Sequence, residues 1–227
     1  AVLFMGSLSG HIYGTLRNEI SCITLDGTKT AKNVYLTCGA RATKGVIGKI
    51  ENIIGDPLTG AGPALTEGDL NLVGNYGQIG VSEEITGSLP NTSTTATATE
   101  NTVITNIIYG GTFANDVYAT PTNTATDNKN IVYGSVTTDI YGGSFNKFYG
   151  HGNTPVYGHI PTNIHGGPFN TIYGARAGKV YDGVELNIYG MTEGSAPTGI
   201  YAAGTSGTTN LSVTTAGRAI AALNIAP

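Results

Sequence analysis

The stretch IYGGSFNKFYG, Ile140 to Gly150, returns as IHGGPFNTIYG, Ile164 to Gly174, at a shift of 24 residues. A finer period lies inside that shift. From Ile131 to Tyr189 the chain falls into units of eight, with Tyr133, Tyr141, Tyr149, Tyr157, His165, Tyr173, Tyr181 and Tyr189 in one slot. An apolar residue stands before each slot (Val132, Ile140, Phe148, Val156, Ile164, Ile172, Val180, Ile188), and glycine follows every slot except Tyr181, which Asp182 follows. An earlier copy, IYGGTFANDVYA from Ile108 to Ala119, carries one extra residue, and Tyr109 stands 24 residues before Tyr133. Three units of eight therefore make one structural turn.

Fixed periods in this range mark stacked architectures, in which each unit buries its apolar face only against its neighbours. A unit of eight leaves room for a strand of about five residues and a glycine bend, too little for a helical hairpin, and its β-branched and aromatic residues favour strand. The reading is all-β: a parallel β-helix, or β-solenoid, with three short strands per coil of about 24 residues and coils stacked about 4.8 Å apart. About nine coils, a rod of roughly 45 Å, would form if every residue took part.

Alternation along a strand assigns the faces. In Thr138-Asp139-Ile140-Tyr141 the isoleucine opposes both its neighbours, so the Ile and Val slots face inward and the tyrosine slots outward. His165 fits an outward slot, because an imidazole replaces an exposed phenol at less cost than a buried one. A step of 24 then groups Tyr109, Tyr133, Tyr157 and Tyr181 on one face, Tyr141, His165 and Tyr189 on a second, and Tyr149 with Tyr173 on the third. Phe145 is expected to stack on Phe169 inside successive coils, and Asn146 to bond Asn170 as a corner ladder.

Outside this core the spacing loosens. Residues 1–85 contain HIYGTL, KNVYLTCG and GVIGKIENIIG without a fixed period, and read as an irregular or capping β region. Residues 86–103 form a Thr/Ser/Ala-rich loop or linker, residues 104–203 the regular solenoid, and residues 204–227, ending in AIAALNIAP, a C-terminal cap or assembly segment. Asn91 and Asn210 open N-glycosylation patterns. Cys22 and Cys38 flank a turn-like DGTK; a hairpin would set them opposite one another for a disulfide in an exported protein, and two buried free thiols are the alternative.

Charge is scarce. Asp, Glu, Lys and Arg make up 11% of the chain, against roughly 25% in ordinary soluble domains, so Thr, Asn, Ser and Tyr must cover the surface. A net charge of −4 offers no basic footprint for nucleic acid. No stretch reaches the roughly 20 apolar residues of a membrane span. AVLFM lacks the charged region of a signal peptide, and Ala1 reads as a processing boundary, so an extracellular or cell-surface location is an inference.

Catalytic grammar is thin. Glycosidic cleavage needs two placed carboxylates, and the close pairs are Glu83–Glu84, Glu67/Asp69 and Asp182/Glu185. Adjacent strand residues point to opposite faces, which separates Glu83 from Glu84. Asp182 is the one break in the glycine column, where a corner aspartate bonding its own backbone is the plainer explanation. His151 and His159, eight apart, lie on different corners and lack metal-site spacing. The chain is therefore read as non-enzymatic, with no catalytic, cofactor-binding or metal site.

The recurrent [N/D]-I-Y-G-G-x-F-N-x-[I/F]-Y-G pattern, clear over residues 107–201, resembles the Gly/Tyr-rich tandem repeats of bacterial surface and adhesin-like proteins. The resemblance implies a β-solenoid and brings no catalytic residue. Together these features lead to the expectation of a self-associating subunit of an extracellular fibre, filament or surface layer. The tyrosine row with His165 is its interface, and copies of the chain are its partners. The alternative is an adhesin-type module that grips glycans or a protein through those rings. An ice-binding surface is disfavoured because the threonines are out of register with the eight-residue unit.

Overall fold

The computed structural model of the chain describes residues 2–4, 15–21, 24–25, 33–36, 49–74, 78–79, 103–122, 131–132, 134–176, 180–191, 197–202 and 220–225. The described residues are all-β: they contain no helix, and every strand pair is parallel. Cys22, Cys38, Asn91, Asn210 and Tyr133 lie outside them, as do Glu83, Glu84 and the Thr86–Thr102 stretch.

With strands numbered in chain order, one sheet has seven: β2 (Thr15–Ile20), β5 (Lys49–Ile54), β9 (Val103–Ile108), β12 (Ser135–Ile140), β14 (His159–Ile164), β16 (Gly183–Ile188) and β18 (Ile220–Ile225), side by side in that order. A nine-stranded sheet is built on the path β1 (Val2–Phe4), β4 (Asn33–Tyr35), β7 (Asp69–Asn71), β10 (Thr112–Tyr118), β13 (Ser144–Tyr149), β15 (Phe169–Tyr173) and β17 (Gly199–Tyr201). The short strands β3 (Thr24–Leu25) and β6 (Ala64–Leu65) complete it. Where the sequence predicts a third strand in each turn, the described residues show the pair β8 (Gln78–Ile79) and β11 (Ile131–Val132) and single bridges joining Val132, Val156 and Val180.

The register reproduces the 24-residue step where the sequence repeats. Thr138 pairs with Thr162 and Thr162 with Leu186, Phe145 pairs with Phe169, and Val156 bridges Val180. Elsewhere the interval lengthens: Ile50 pairs with Ile104 across the segment that holds the Thr86–Thr102 stretch, and Leu186 pairs with Leu223. The seven-stranded sheet is correspondingly shorter than a stack of about nine strands would be, since much of the chain lies between the paired strands. The extra residue in the Ile108–Ala119 copy is a β-bulge, the register of β10 on β13 slipping between Phe113 and Asp116.

Alternation fixes what enters the core. In β9, β12 and β14 every second residue is buried. The sixth position of the seven-stranded sheet is isoleucine throughout: Ile20, Ile54, Ile108, Ile140, Ile164, Ile188 and Ile225. These isoleucines, as far as Ile188, pack toward Phe113, Phe145, Phe148 and Phe169 of the nine-stranded sheet. The second position, including Ile50, Ile104, Val136, Ile160 and Val184, packs toward Val132, Val156 and Val180. Phe145 stacks on Phe169 at 4.6 Å and on Phe113 at 4.9 Å, so aromatic rings continue the inner stack from layer to layer.

The fourth, inward position carries a feature the sequence reading missed: Asn18, Asn52 and Asn106 are buried in line. A buried amide is costly unless hydrogen-bonded, and these bond one another. Asn18 Nδ2 donates to Asn52 Oδ1 and Asn52 Nδ2 to Asn106 Oδ1, both at 2.8 Å, and Asn106 Nδ2 donates to Thr138 Oγ1 at 3.1 Å. Asn52 Nδ2 and Asn106 Nδ2 also reach the carbonyls of Leu72 and Ala119. The next hydroxyl, Thr162 Oγ1, is buried without a partner, and the column ends in Leu186 and Leu223. Asn170 Nδ2 does donate to Asn146 Oδ1, at 3.1 Å, but both residues lie on strands of the nine-stranded sheet and not at a corner.

Candidate functional site

The corner after the seven-stranded sheet is held by continuing backbone pairing. Tyr141 N donates to Ile108 O, His165 N to Ile140 O and Tyr189 N to Ile164 O, at 2.7–2.8 Å. That places each ring one layer above the last. Tyr109, Tyr141, His165 and Tyr189 form one stack with centroid separations of 5.4, 4.7 and 5.0 Å and interplanar angles of 17° or less. The Gly-Gly pairs that follow allow the layers to approach. Gly143 and Gly167 take φ of +106° and +102°, a region that L side chains rarely enter. A Cβ at Gly142 would come within 2.7 Å of Tyr109 O, and one at Gly166 within 2.7 Å of Tyr141 O.

Tyr109 thus belongs with Tyr141, His165 and Tyr189, and not with Tyr157 and Tyr181 as its 24-residue distance from Tyr133 implies. Ile108 pairs with Ile140, a step of 32, because the chain between Tyr118 and Ile131 adds seven residues to the turn and the bulge before Tyr118 adds one. Tyr141 is 50% exposed and Tyr189 56%, while His165 lies 4.0 Å from Asp139.

A second stack crosses the outer face of the nine-stranded sheet. Tyr118, Tyr149, Tyr173 and Tyr201 stand 4.8, 4.7 and 4.9 Å apart. Tyr118 and Tyr201 escape a strict period of eight, Tyr118 because of the bulge before it. The one available signal was the extra residue in IYGGTFANDVYA: allowing for it aligns Tyr118 with Tyr149.

The expectation that every tyrosine slot is open to solvent fails here, since Tyr149 is only 5% exposed. Its faces are taken by Tyr118 and Tyr173, and Arg176 Cζ lies 5.4 Å from the Tyr118 centroid and 5.6 Å from that of Tyr149. Arg176 Nη1 donates to Tyr118 Oη, which donates to Asp116 Oδ2 at 2.9 Å, and Asp116 N donates to Asp69 Oδ1. Burial pushes the Tyr149 phenol up to about 12 and raises Tyr118 further. Burial also raises Asp69, against the bond it accepts from Asp116 N. The cluster keeps phenols protonated beneath a guanidinium lid.

Tyr157 and Tyr181 form a third stack, at 4.2 Å, in line with the valine bridges. The remaining candidates are dispersed. His151 is fully buried; its Nε2 donates to Thr154 O at 2.7 Å, Nδ1 has no partner, and burial pushes the imidazole down to about 4. His159 instead sits near the surface, its Nε2 3.2 Å from Glu185 Oε2. Glu185 also accepts from Asn224, while Asp182 is an exposed corner residue and Glu67 an exposed residue ahead of β7. Among the described residues no group of three His, Cys, Asp or Glu side chains is placed to hold a metal ion, and no helix is long and apolar enough to cross a membrane.

Comparison with protein-family models, with curated proteins and with solved structures finds no match to this chain.

Proposed function

We propose that the chain is a parallel β-solenoid of the Gly/Tyr-rich repeat kind and acts as a non-enzymatic, self-associating structural subunit of an extracellular fibre, filament or surface layer. The observation that carries this reading is the corner stack Tyr109–Tyr141–His165–Tyr189, with Tyr141 and Tyr189 half exposed on a chain with few charges. Net charge keeps proteins apart, and a straight row of aromatic edges repeating at the strand spacing suits a matching row on another copy.

The ring geometry favours protein over glycan as the partner. A sugar packs on the face of an aromatic ring, and within the stack each inner face is already covered by the next ring 4.7–5.4 Å away. What the row offers outward is ring edges and hydroxyls.

Sedimentation velocity on the full chain over a wide concentration range tests the proposal. The wild type should assemble, and Tyr141→Ser/Tyr189→Ser should assemble less while retaining its far-UV circular dichroism. Identical association by the two proteins would remove the corner stack from the interface.

A further inference from the structure

The stack on the outer face of the nine-stranded sheet joins a ring that solvent reaches to one that it does not. Tyr173, Tyr149 and Tyr118 lie ring on ring at 4.7 and 4.8 Å, with interplanar angles of 5° and 12°. Tyr173 is partly exposed, whereas Tyr149 and Tyr118 are buried. The row of rings stops at Tyr118, because β7 carries Asn71 at the same register. That last ring has a polar setting of its own. Its Oη donates to Asp116 Oδ2 at 2.9 Å and accepts from Arg176 Nη1 at 3.2 Å.

A phenol that loses only an electron becomes a radical cation, and an uncompensated charge is costly in a buried site. A base already hydrogen-bonded to the phenol removes that cost, since the proton leaves with the electron and the ring ends neutral. Asp116 is placed to be that base. Asp69 lies beside it, its Oδ1 accepting from Asp116 N at 3.3 Å. A neighbouring like charge favours protonation of a carboxyl, here against the pull of Arg176 and of Lys147, the register partner of Asp116 on β13. Arg176 can hold its hydrogen bond to the phenolic oxygen throughout, because a guanidinium keeps its protons. Burial also keeps the oxidised ring from meeting a second phenoxyl radical, which the half-exposed Tyr141 and Tyr189 can do.

We infer that Tyr118 is a redox-active tyrosine: a one-electron oxidant draws an electron from it through the rings of Tyr149 and Tyr173, while its proton passes to Asp116 Oδ2. One O–H bond breaks at Tyr118 and one forms at Asp116. The oxidant, an outer-sphere one-electron acceptor that meets Tyr173 at the surface, is reduced by one electron. The products are a neutral phenoxyl and a neutral carboxylic acid, and reduction reverses both transfers. This chemistry goes beyond the structural role proposed above and does not depend on self-association.

Oxidation of the full chain by photogenerated tris(bipyridine)ruthenium(III), followed by freeze-quench electron paramagnetic resonance, tests the inference. The wild type should give a phenoxyl signal that outlives those of surface tyrosines and forms more slowly in deuterated buffer. Tyr118→Phe should lose the long-lived signal. Asp116→Asn still offers the phenol an oxygen but cannot keep its proton, and should form the signal about 100-fold more slowly. Tyr149→Phe keeps the ring in the stack but makes it hard to oxidise, so formation should slow there too. Because that variant removes only a hydroxyl, its result stands even if circular dichroism shows Asp116→Asn to be unfolded. A long-lived signal that survives Tyr118→Phe would overturn the proposal, as would formation at the wild-type rate in folded Asp116→Asn or in Tyr149→Phe. A wild type that gives only short-lived radicals would overturn it as well.

Discussion

The two halves of the seven-stranded sheet solve one problem in opposite ways. In β2, β5 and β9 the asparagine ladder runs inside, through Asn18, Asn52 and Asn106. From β12 onward the ladder runs on the outer side: Asn163 donates to Asp139, Asn187 to Asn163 and Asn224 to Asn187. The inner column there changes to Thr138, Thr162, Leu186 and Leu223. The isoleucine column is common to both halves and holds the layers in register. An amide is admitted inside where a second acceptor waits for it, as the carbonyls of Leu72 and Ala119 do. The framework is set by the apolar column, and the polar ladder follows local supply of partners.

The largest effect is expected of Asn52→Leu. It removes the acceptor of Asn18, the donor to Asn106 and the partner of Leu72 O together, and at roughly 1–3 kcal/mol per stranded group should cost about 4 kcal/mol in chemical denaturation. A loss below about 1 kcal/mol would mean that the inner ladder carries no such burden.

The regular half has its own buried polar group in His151, neutral in the fold because burial holds its imidazole down at about 4 against an ordinary 6.5. Stability from this group is fully present above pH 6.5 and is lost as pH falls toward 4, by about 3 kcal/mol in all. Asp69, raised by burial, acts in the opposite sense. Denaturation midpoints measured across this window should fall with acidity for the wild type and flatten for His151→Gln.

Gly142→Ala probes the corner that both halves share, because its Cβ would press on Tyr109 O; a loss of about 2 kcal/mol is expected in thermal denaturation. The smallest effect should reverse sign. Thr162→Val removes a buried hydroxyl that has no partner and should stabilise by up to about 1 kcal/mol, sharpening the claim that the later half prefers an apolar fourth column.

These differences explain what the sequence disclosed. Ile140, Ile164 and Ile188 and the rings at 141, 165 and 189 were legible because burial alternates every second residue and the layers repeat every 24. Asn18, Asn52 and Asn106 were not, because the pairings that align them span 34 and 54 residues and no period joins them. An asparagine in a strand also reads as outward-facing until its partners on other strands are known. The ring partners of Tyr109 are not legible for a related reason: its distance to Tyr133 matches the repeat, but its layer is one of the longer ones. The burial of Tyr149 depends on Arg176, a residue outside the repeat pattern, and so could not be read from tyrosine spacing.

Electron microscopy of the purified chain distinguishes lateral assembly from isolated rods. Lateral assembly requires rods that associate side by side into arrays as concentration rises. Isolated, monodisperse single rods at every concentration would contradict it.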